Sequence, residues 1–402
     1  MKGKITSLVK EHALYPQEQL MKVKNDSYRL NIGIPKEQEG DENRICLTPE
    51  AVSVLINDGH EVVIETGAGV NAKYTDRDFS EAGARIVYTK KEVFQSDIIL
   101  KVNPPTLEEI EYMKSGKTLI SALQTGKLQP EFLEAINKQK ITALAYEYIE
   151  DKAGGKPLVK SMSEIAGSTV MLIAAEYLNS YNGKGVIVGG ITGVPPTKVV
   201  ILGAGTVAEY AARAALGLGA EVKVFDHHIY KLRRLRHAVG TQIYTSTIDS
   251  LTLRNELKRA DVVIGSVRSD EGSPFVVTEE LVAEMRPNSV IIDVSIDQGG
   301  CFETSRLTSH KNPVFVKYDV IHYCVPNIPS RVARTATTAL SNIFTPMMLQ
   351  IASVGGVDAM IYSKEWFMKG VYAYRGNLTN PHLARRFNMK YSDLEIIMAT
   401  RY

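Results

Sequence analysis

A glycine-rich segment between two apolar stretches constrains the fold of this chain more than any other feature. The sequence KVVILGAGTVAEYAARAALGLGAEVKVFD, residues 198–226, predicts a buried strand, a tight turn, a helix and a second strand. Gly203, Gly205 and Ala208 fill the G-x-G-x-x-G/A pattern of a dinucleotide site. Gly203 permits the sharp turn, Gly205 lets a pyrophosphate approach the main chain, and Ala208 lets the helix lie close to the strand.

The two ends of this segment predict which dinucleotide binds. The helix begins at Thr206 and Val207, where free N–H groups and the helix dipole favour phosphate groups. The second strand ends at Asp226, 23 residues after the first glycine, near the interval of about 20 expected for a carboxylate that binds a ribose hydroxyl. That carboxylate would repel the 2′-phosphate of NADP, so the sequence favours NAD. His227 and His228 follow it and leave NADP as the weaker alternative.

Length and composition indicate an ordinary soluble protein of two domains. The chain has 402 residues, of which 44% are hydrophobic and 23% charged, and its formal net charge is +2. Such a balance does not predict a nucleic-acid or anionic-membrane surface, and we find no apolar run long enough to span a bilayer. Cys46, Cys301 and Cys324 form neither a disulfide framework nor a metal-binding pattern, so we expect no metal and a reduced, cytoplasmic location. Residues 1–28 lack a signal-peptide core and predict an extra helix or arm of unknown purpose.

The order of predicted elements indicates an α/β fold with two doubly wound domains. Strand-like and helix-like segments alternate over residues 28–149 without a second glycine pattern, and Thr48 with Pro49 marks one helix start. The segment after Thr335 does not resemble a nucleotide fold. We therefore predict a Rossmann NAD-binding domain, residues 158–333, inserted into a discontinuous substrate domain, residues 1–157 plus 334–402. The predicted strands are 30–34, 61–65, 85–88, 98–102, 118–123, 143–149, 199–202, 221–225, 241–245, 262–267, 290–294 and 314–318.

Two basic residues near the ends of predicted strands are candidates for substrate binding. Arg44 follows the first strand, and its guanidinium would bind a carboxylate with two hydrogen bonds. The alternative is a surface ion pair with Glu42 or Asp41. Lys101 closes an apolar strand, which is unusual unless the ammonium reaches a cleft and holds an anionic oxygen. The alternative is a lysine that extends along the surface to water.

Two further polar residues lie at predicted carboxyl ends of strands, where parallel α/β sheets bind their ligands. Asp297, in SIDQGGCFE, is the candidate catalytic carboxylate, because neighbouring glycines allow close approach of a ligand. The alternative is an aspartate that only orders the loop. Gln124 follows another strand and can donate and accept hydrogen bonds but cannot transfer a proton at neutral pH. Among the eight histidines, His322 is better explained as a structural residue than as a base.

Several of these stretches together resemble the alanine dehydrogenase family, from Leu30 to the C terminus. The IDQGGCFE segment is highly specific. A related fold is that of the alpha subunit of the proton-pumping nicotinamide nucleotide transhydrogenase. The matching stretches are GIPKE (33–37), NRICLTP (43–49), ILKV (99–102), MSEIAG (162–167), GGITGVPP (189–196), GAGTVA (203–208), IDQGGCFETSR (296–306) and YCVPNIP (323–329).

The resemblance implies an active site between two α/β domains and, usually, a homohexamer. It implies the conversion of L-alanine, NAD⁺ and water to pyruvate, ammonia and NADH. By position, Arg44 and Lys101 would hold the substrate, and Asp297 would lie at the reacting centre. An Arg at position 268 departs from the family's usual apolar residue. The residues that would line the cofactor are Ser163, Asp226, Lys231, Val267, Arg268, Arg306, Val325 and Asn327, in addition to those of the glycine turn.

One departure from the family affects the predicted chemistry. The family places a histidine, regarded as the acid–base group, where this chain has Gln124 in LISALQTG, and the transhydrogenase relative carries a glutamine at about this point. Three hypotheses therefore stand at this stage. They are an alanine dehydrogenase with an altered proton route, a related amino-acid or opine-type dehydrogenase with a reshaped pocket, and a nucleotide-binding module without catalysis.

Overall fold

Two parallel-dominated sheets organise the molecule. The computed structural model describes residues 28–399 apart from Glu39, Asp41, Lys152 and 269–271, so the helix or arm predicted for residues 1–28 lies almost wholly outside the described residues. Within the described residues, one sheet has eight strands and the other has seven. In each sheet, the parallel strands follow the order 3-2-1-4-5-6 of a doubly wound fold. The predicted fold class is confirmed.

The first sheet comes from the N-terminal part of the chain and is buried on both faces, as a parallel sheet requires. Its parallel strands run in the spatial order β3-β2-β1-β4-β5-β6. They are β1 (Asn31–Ile34), β2 (Glu61–Glu65), β3 (Arg85–Val87), β4 (Ile98–Leu100), β5 (Thr118–Ser121) and β6 (Thr142–Ala145).

Four of the five helices between these strands begin at side-chain caps. Thr48 accepts a hydrogen bond from the N–H of Ala51, and Pro49 is the first helical residue, as the sequence predicts. Thr75, Thr89 and Thr106 each form a reciprocal capping box with the acidic residue three positions later. The helices are α1 (Pro49–Asn57), α2 (Asp76–Glu81), α3 (Lys90–Val93), α4 (Leu107–Tyr112) and α5 (Pro130–Lys138).

The second sheet begins after one long helix and carries the glycine segment after an inner strand. Its parallel strands run in the order β9-β8-β7-β10-β11-β13, and β12 pairs antiparallel with β13 at one edge. The strands are β7 (Lys198–Leu202), β8 (Glu221–Phe225), β9 (Tyr244–Ser246), β10 (Val262–Gly265), β11 (Val290–Asp293), β12 (Val314–Lys317) and β13 (Val320–Tyr323). The helices are α6 (Pro157–Leu178), α7 (Thr206–Gly217), α8 (Ile229–Val239), α9 (Ser250–Leu257) and α10 (Glu279–Ala283).

The long helix α6 leads from the first sheet to the second. Its Gly167 lies against α7 so closely that an added Cβ would come within 2.4 Å of the main-chain O of Val207. The glycine of the MSEIAG stretch is therefore required for helix packing. By length and composition α6 is apolar enough to cross a bilayer, but it packs on α7 and on α11 (Ala333–Ser353), and a core helix passes the same test.

The C-terminal segment returns to the first sheet. After α11 and two short helices, α12 (Val357–Ser363) and α13 (Glu365–Met368), the chain forms β14 (Val371–Tyr374) and β15 (Asn377–Leu378). β14 pairs antiparallel with β6, and β15 pairs with β14, so they extend that sheet at its edge. Two helices, α14 (Pro381–Phe387) and α15 (Leu394–Ala399), end the described chain.

Several strand predictions were wrong in detail. The predicted strand 143–149 ends at Ala145, because residues 146–148 turn into a short 3₁₀ helix. The predicted strand 241–245 begins later than expected, because β9 covers only Tyr244–Ser246, where it pairs with β8. β13, β14 and β15 were not predicted, since their sequences lack a pattern that local reasoning separates from loop or helix. Pairing with neighbouring strands, rather than local sequence, makes β13, β14 and β15 strands.

Candidate active site

The glycine turn has the geometry that its sequence predicts. Gly203 adopts φ = 100°, and an added Cβ would come within 2.7 Å of the main-chain O of Ser266, so only glycine fits without a shift. An added Cβ at Gly205 would meet no described atom within 4 Å, which leaves open space above the first turn of α7. α7 begins after Gly205 without a side-chain cap, so the N–H groups at Thr206 and Val207 are available to a phosphate. The residues present fit the pyrophosphate of a dinucleotide.

Asp226 follows β8 and lies beside the glycine turn. Its Oδ2 accepts a hydrogen bond from the N–H of Ala204 at 2.7 Å, and its Oδ1 accepts one from the N–H of His228 at 2.7 Å. The carboxylate is thus fixed beside the glycine turn, and Nδ1 of His228 also lies 3.2 Å from Oδ1. Each carboxylate oxygen has a further lone pair, so the arrangement still permits ribose hydroxyls to donate to it.

The other predicted cofactor residues divide into two groups. Val267 and Arg268 follow β10, while Val325 and Asn327 follow β13, so these four share the carboxyl edge of the sheet with the glycine turn. Ser163 lies on α6 and Lys231 on α8, and both are half-buried. Arg306 is exposed, and its guanidinium lies 4.1 Å from the centre of the Phe315 ring, near the β12 edge.

Lys101 is one of the most buried charged side chains of the protein. It follows β4, is 1% exposed, and its Nζ lies 2.5 Å from Oε2 of Glu37. The carboxylate of Glu37 also accepts the main-chain N–H of Val102 at 2.6 Å. Burial raises the pKa of Glu37 even though the Lys101 ammonium lowers it. Lys101 therefore does not extend along the surface to water. The carboxylate of Glu37 holds its ammonium in place at the edge of the sheet.

Arg44 likewise forms a buried pair, with Glu42. Its Nε and Nη2 donate to the two Glu42 oxygens at 2.7 and 2.6 Å, while Nη1 faces the thioether sulfur of Met162 at 3.2 Å. Glu42 also accepts from Nδ2 of Asn327 at 2.8 Å, which links the two halves of the molecule. Burial would lower the pKa of Arg44, but the Glu42 carboxylate raises it. The predicted pairing with Glu42 is present but is buried, and Asp41 lies outside the described residues.

The two ion pairs form one cluster beneath the cleft. Burial raises the pKa of the Cys46 thiol well above its usual value, and Glu37, Lys101, Arg44 and Glu42 all act on it electrostatically. Two cations and two carboxylates therefore lie within electrostatic reach of one buried thiol. Among the described residues, Nη1 of Arg44 contacts only a weak acceptor, the thioether sulfur of Met162, so it is the donor that an incoming carboxylate would engage at least cost.

Asp297 lies in the turn that follows β11, across the cleft from the first sheet. An added Cβ at Gly126 would be 3.7 Å from the main-chain O of Asp297, so the loops after β5 and β11 approach each other. Neighbouring protein atoms desolvate the carboxyl and raise its pKa, although its side chain keeps access to solvent. The guanidinium of Arg268 and the ammonium of Lys127 lower that pKa in part. A carboxyl with a raised pKa in a cleft is suited to proton transfer.

Gln124 lies in the loop after β5 and has an unusual main-chain conformation. It adopts the left-handed region, with φ = 49° and ψ = 58°, and its Nε2 donates to Oδ1 of Asn103 at 2.9 Å. The main-chain N–H groups of Leu123 and Gln124 both donate to Oε1 of Glu147, at 2.7 and 3.2 Å. A carboxylate thus holds the turn that presents Gln124.

Sequence reasoning missed three acidic residues that organise this site: Glu37 and Glu147 entirely, and Glu42 except as a surface partner. The available signal was chemical, because a buried Lys101 or Arg44 requires a counter-charge. Glu37 and Glu42 stand in or beside the GIPKE and NRICLTP stretches, but Glu37 is 64 positions from Lys101.

The buried histidine and cysteines have structural roles. His322 is fully buried, with Nδ1–H donating to the main-chain O of Val320 at 2.9 Å and Nε2 accepting from the hydroxyl of Thr304 at 2.8 Å. Burial lowers its pKa to about 4, so the ring is neutral at physiological pH. The three cysteines are buried and unpaired with one another. Within residues 28–399 as described, no group of three His, Cys, Asp or Glu side chains has metal-binding geometry.

Comparison with known proteins supports the same reading of the whole chain. The family profile "Alanine dehydrogenase/PNT, N-terminal domain" matches residues 33–166, and "Alanine dehydrogenase/PNT, C-terminal domain" matches residues 169–381. The chain belongs to the alanine dehydrogenase/PNT family. Among curated relatives of this family, the alanine dehydrogenase of Mycolicibacterium smegmatis is 40% identical over 92% of this chain and 100% of its own length. That of Methanococcus maripaludis is 40% identical over 90% and 98%.

Two solved structures have the same fold as this chain. A structure named L-alanine dehydrogenase superposes with a TM-score of 0.82 at 36% identity and covers 89% of this chain and 99% of its own. A transhydrogenase from Sinorhizobium meliloti superposes with a TM-score of 0.75 at 22% identity, over 87% of this chain and 99% of its own, which speaks for the fold alone.

Proposed function

We propose that this protein is an NAD-dependent alanine dehydrogenase, an oxidoreductase that interconverts L-alanine and pyruvate. The balanced reaction takes L-alanine, NAD⁺ and water to pyruvate, ammonium, NADH and a proton. The observation that carries the proposal is that residues suited to a dinucleotide and residues suited to a small anionic substrate lie on two halves of the molecule that contact each other. The second sheet carries a dinucleotide turn and the first carries the buried side chains of Lys101 and Arg44, and the contacts of Asn327 with Glu42 and of Gly126 with Asp297 mark where the two halves meet. Relatives that are 40% identical over nearly their full length bear the same activity in their names.

The residues of the glycine turn are proposed to bind the cofactor. Gly203, Gly205 and the N terminus of α7 at Thr206 and Val207 would receive the pyrophosphate, and Asp226 would accept hydrogen bonds from the adenosine ribose. NAD, when bound, supplies the hydride acceptor. The other proposed cofactor contacts are Ser163, Lys231, Val267, Arg268, Arg306, Val325 and Asn327.

The residues of the first sheet are proposed to bind and orient the substrate. Arg44 would receive the substrate carboxylate through Nη1, and Lys101, fixed by Glu37, would donate to the oxo or imino group. Asp297 would accept and return protons as water adds to the imine and ammonia leaves, a form of help worth about 10²–10⁴-fold in rate. Gln124, which cannot transfer a proton, would contribute only hydrogen bonds.

Four finer features belong to the same proposal. We place the substrate domain at residues 1–157 plus 334–402 and the NAD domain at 158–333, because β14 and β15 extend the first sheet. A homo-oligomer, a hexamer by resemblance to the family, and a cytoplasmic location are proposed on that resemblance. The proposed partners are a small amino acid and its oxo acid, without nucleic acid or membrane.

Activity measurements in both directions test the proposal. Purified protein is incubated with NADH, ammonium and pyruvate, and separately with NAD⁺ and L-alanine, while absorbance of the reduced nicotinamide is followed. The panel extends to other oxo acids and L-amino acids, and to larger amines in place of ammonium. We expect the highest kcat/KM with pyruvate and ammonium, and a loss of at least about hundredfold in Asp297→Asn.

Three outcomes would contradict the proposal in different ways. Preference for a larger amine over ammonium would identify an opine-type dehydrogenase. Preference for another oxo acid would change the substrate but keep the reaction class. Tight binding of NADH without turnover of any substrate pair would identify a nucleotide-binding module.

A further inference from the structure

The turn at Gln124 is held by a side chain for which the proposed reaction has no role. Glu147 lies just beyond β6, and its Oε1 accepts the N–H groups of both Leu123 and Gln124. Consecutive N–H groups that converge on one oxygen form an anion-binding nest. A left-handed conformation strains a residue other than glycine and persists only where its surroundings enforce it. The Glu147 carboxyl supplies that enforcement.

The other oxygen of this carboxyl is buried without a hydrogen bond. Within the described residues, Oε2 of Glu147 has no hydrogen-bond partner, and neither does Oη of Tyr372 on β14. The two groups are close enough for the Glu147 charge to raise the pKa of Tyr372, after burial as the larger cause. Leaving two buried polar atoms unsatisfied is costly, and a purely structural residue at this position would be expected to satisfy them.

The charged and titratable groups around Glu147 come from both halves of the molecule. Burial raises the pKa of Glu147, while the surrounding main-chain N–H groups and the guanidinium of Arg268 lower it. Tyr146, Tyr148 and Tyr372, from its own half, are close enough for the Glu147 charge to raise their pKa values, after burial as the larger cause. Arg268, which acts on Asp297 as well, extends from the nucleotide half. Glu147 therefore lies within electrostatic reach of the reacting centre although its carboxyl is not exposed to it.

We propose that Glu147 is a positioning residue of this active site, which holds the left-handed turn at Gln124 and thereby fixes the Gln124 amide, which donates to Oδ1 of Asn103, in the position from which it would contact the substrate. This inference rests on the proposed function. Glu147 acts through Gln124 rather than on the substrate. Without its carboxyl, the turn relaxes to a right-handed or extended conformation, and the amide of Gln124 leaves the position from which it would contact the bound oxo acid.

A double-mutant cycle tests the inference, because a residue that acts through another has no separate effect once that other is removed. Wild type, Gln124→Ala, Glu147→Ala and the double variant are compared in kcat and KM for pyruvate with NADH and ammonium. We expect each single change to lower kcat/KM by about tenfold or more, as loss of an enforced left-handed turn implies. The kcat/KM of the double variant should lie within about twofold of that of the less active single variant. NADH affinity, measured by fluorescence, should stay within about twofold in all four.

Two further variants guard against loss of folding. Glu147→Gln keeps the volume and one oxygen that accepts both N–H groups, so it should restore most of the activity lost in Glu147→Ala. Glu150→Gln, three residues along and paired at the surface with Lys369, should behave as wild type. Thermal unfolding of each variant verifies the fold.

The inference fails if Glu147→Ala has wild-type kcat/KM, or if the two single effects multiply in the double variant. Both results leave the proposed function intact, because the wild type still turns over. Absence of turnover in wild type would overturn the proposed function and this inference with it.

Discussion

The two halves of this molecule share one strand order but differ in how they use the carboxyl edge of the sheet. In the second half, the edge carries a glycine turn and an uncapped helix, so main-chain N–H groups are left available. In the first half, the edge carries buried charges that are already paired, Lys101 with Glu37 and Arg44 with Glu42. The same topology thus presents open main chain on one side of the cleft and fixed side chains on the other.

This difference suits the two ligands proposed for the cleft. A dinucleotide is long and carries its charge on phosphates, which main-chain N–H groups and a helix dipole can bind over an extended surface. A small oxo acid offers one carboxylate and one carbonyl, so binding it in a defined orientation requires rigid, pre-positioned cations. Variants that alter one half should therefore leave ligand binding by the other half unchanged.

The largest effect is expected from Lys101→Met in the first half. Removing the ammonium leaves Glu37 buried without its counter-charge, which should cost about 3–5 kcal/mol in the free energy of unfolding. Urea denaturation measures that loss. Activity with pyruvate should fall to background while NADH affinity, measured on the folded fraction, stays within about twofold.

A surface pair provides the matched control for Lys101→Met. Lys369→Met removes a half-exposed ammonium from Glu150 and should change stability by no more than about 1 kcal/mol. Equal losses in the two variants would mean that burial does not distinguish the pairs. Loss of NADH binding in Lys101→Met would mean that the halves are not separable.

The next largest effect concerns the second half, where buried His322 should make the stability of the fold sensitive to acid. The unfolded state takes up a proton on His322 near pH 6.5, whereas the folded state takes it up only near pH 4. Between these values the unfolded state binds more protons, so stability falls as pH falls, by about 3 kcal/mol in total. His322→Asn keeps a donor toward Val320 and cannot titrate. Urea denaturation from pH 7 to 4 should show a smaller loss in that variant than in wild type, and parallel curves would contradict the assignment.

How much of this arrangement the sequence predicts depends on how local each feature is. Gly203, Asp226 and the cap at Thr48 depend on residues a few positions apart or on a fixed interval, and the structure has all of them in the predicted conformation or place. The position of Lys101 at a strand end was also readable. Its partner Glu37 was not, because the two meet only when β4 pairs with β1.

Pairing across the sequence explains the missed strands in the same way. β14 becomes a strand by pairing with β6, more than 200 residues earlier in the chain, and β15 by pairing with β14, and neither has a strong local pattern. The role of Glu147 depends similarly on the neighbouring strands β5 and β6, which bring its carboxyl to the turn at Gln124. Topology, rather than motif, therefore decides these residues.

A smaller effect is expected from Gly203→Ala in the second half. The new Cβ would meet the Ser266 main-chain O in a left-handed conformation, at a cost of about 1–3 kcal/mol. NADH affinity should fall about tenfold or more as the turn shifts. Gly217→Ala is the matched control, because Gly217 lies in α7 with no described atom near its added Cβ, and it should leave affinity unchanged or slightly raise stability. Equal NADH affinities in the two variants would show that the turn tolerates a side chain.

The smallest effect tests whether the missing cap of α7 is functional. Gly205 has an extended conformation that any residue adopts, and an added Cβ there meets open space, so Gly205→Ser should fold normally. Its hydroxyl would cap the helix as Thr106 caps α4, and should stabilise the protein without cofactor by about 0.5 kcal/mol. Because the hydroxyl then occupies the N–H groups and the space proposed for the pyrophosphate, NADH affinity should fall, as fluorescence titration would measure. Thr106→Ala in the first half should do the reverse, with a loss of about 1 kcal/mol in stability and no change in NADH affinity. If Gly205→Ser instead kept wild-type NADH affinity, the open helix end would not be the phosphate site, and the contrast between the two sheet edges would lose its functional meaning.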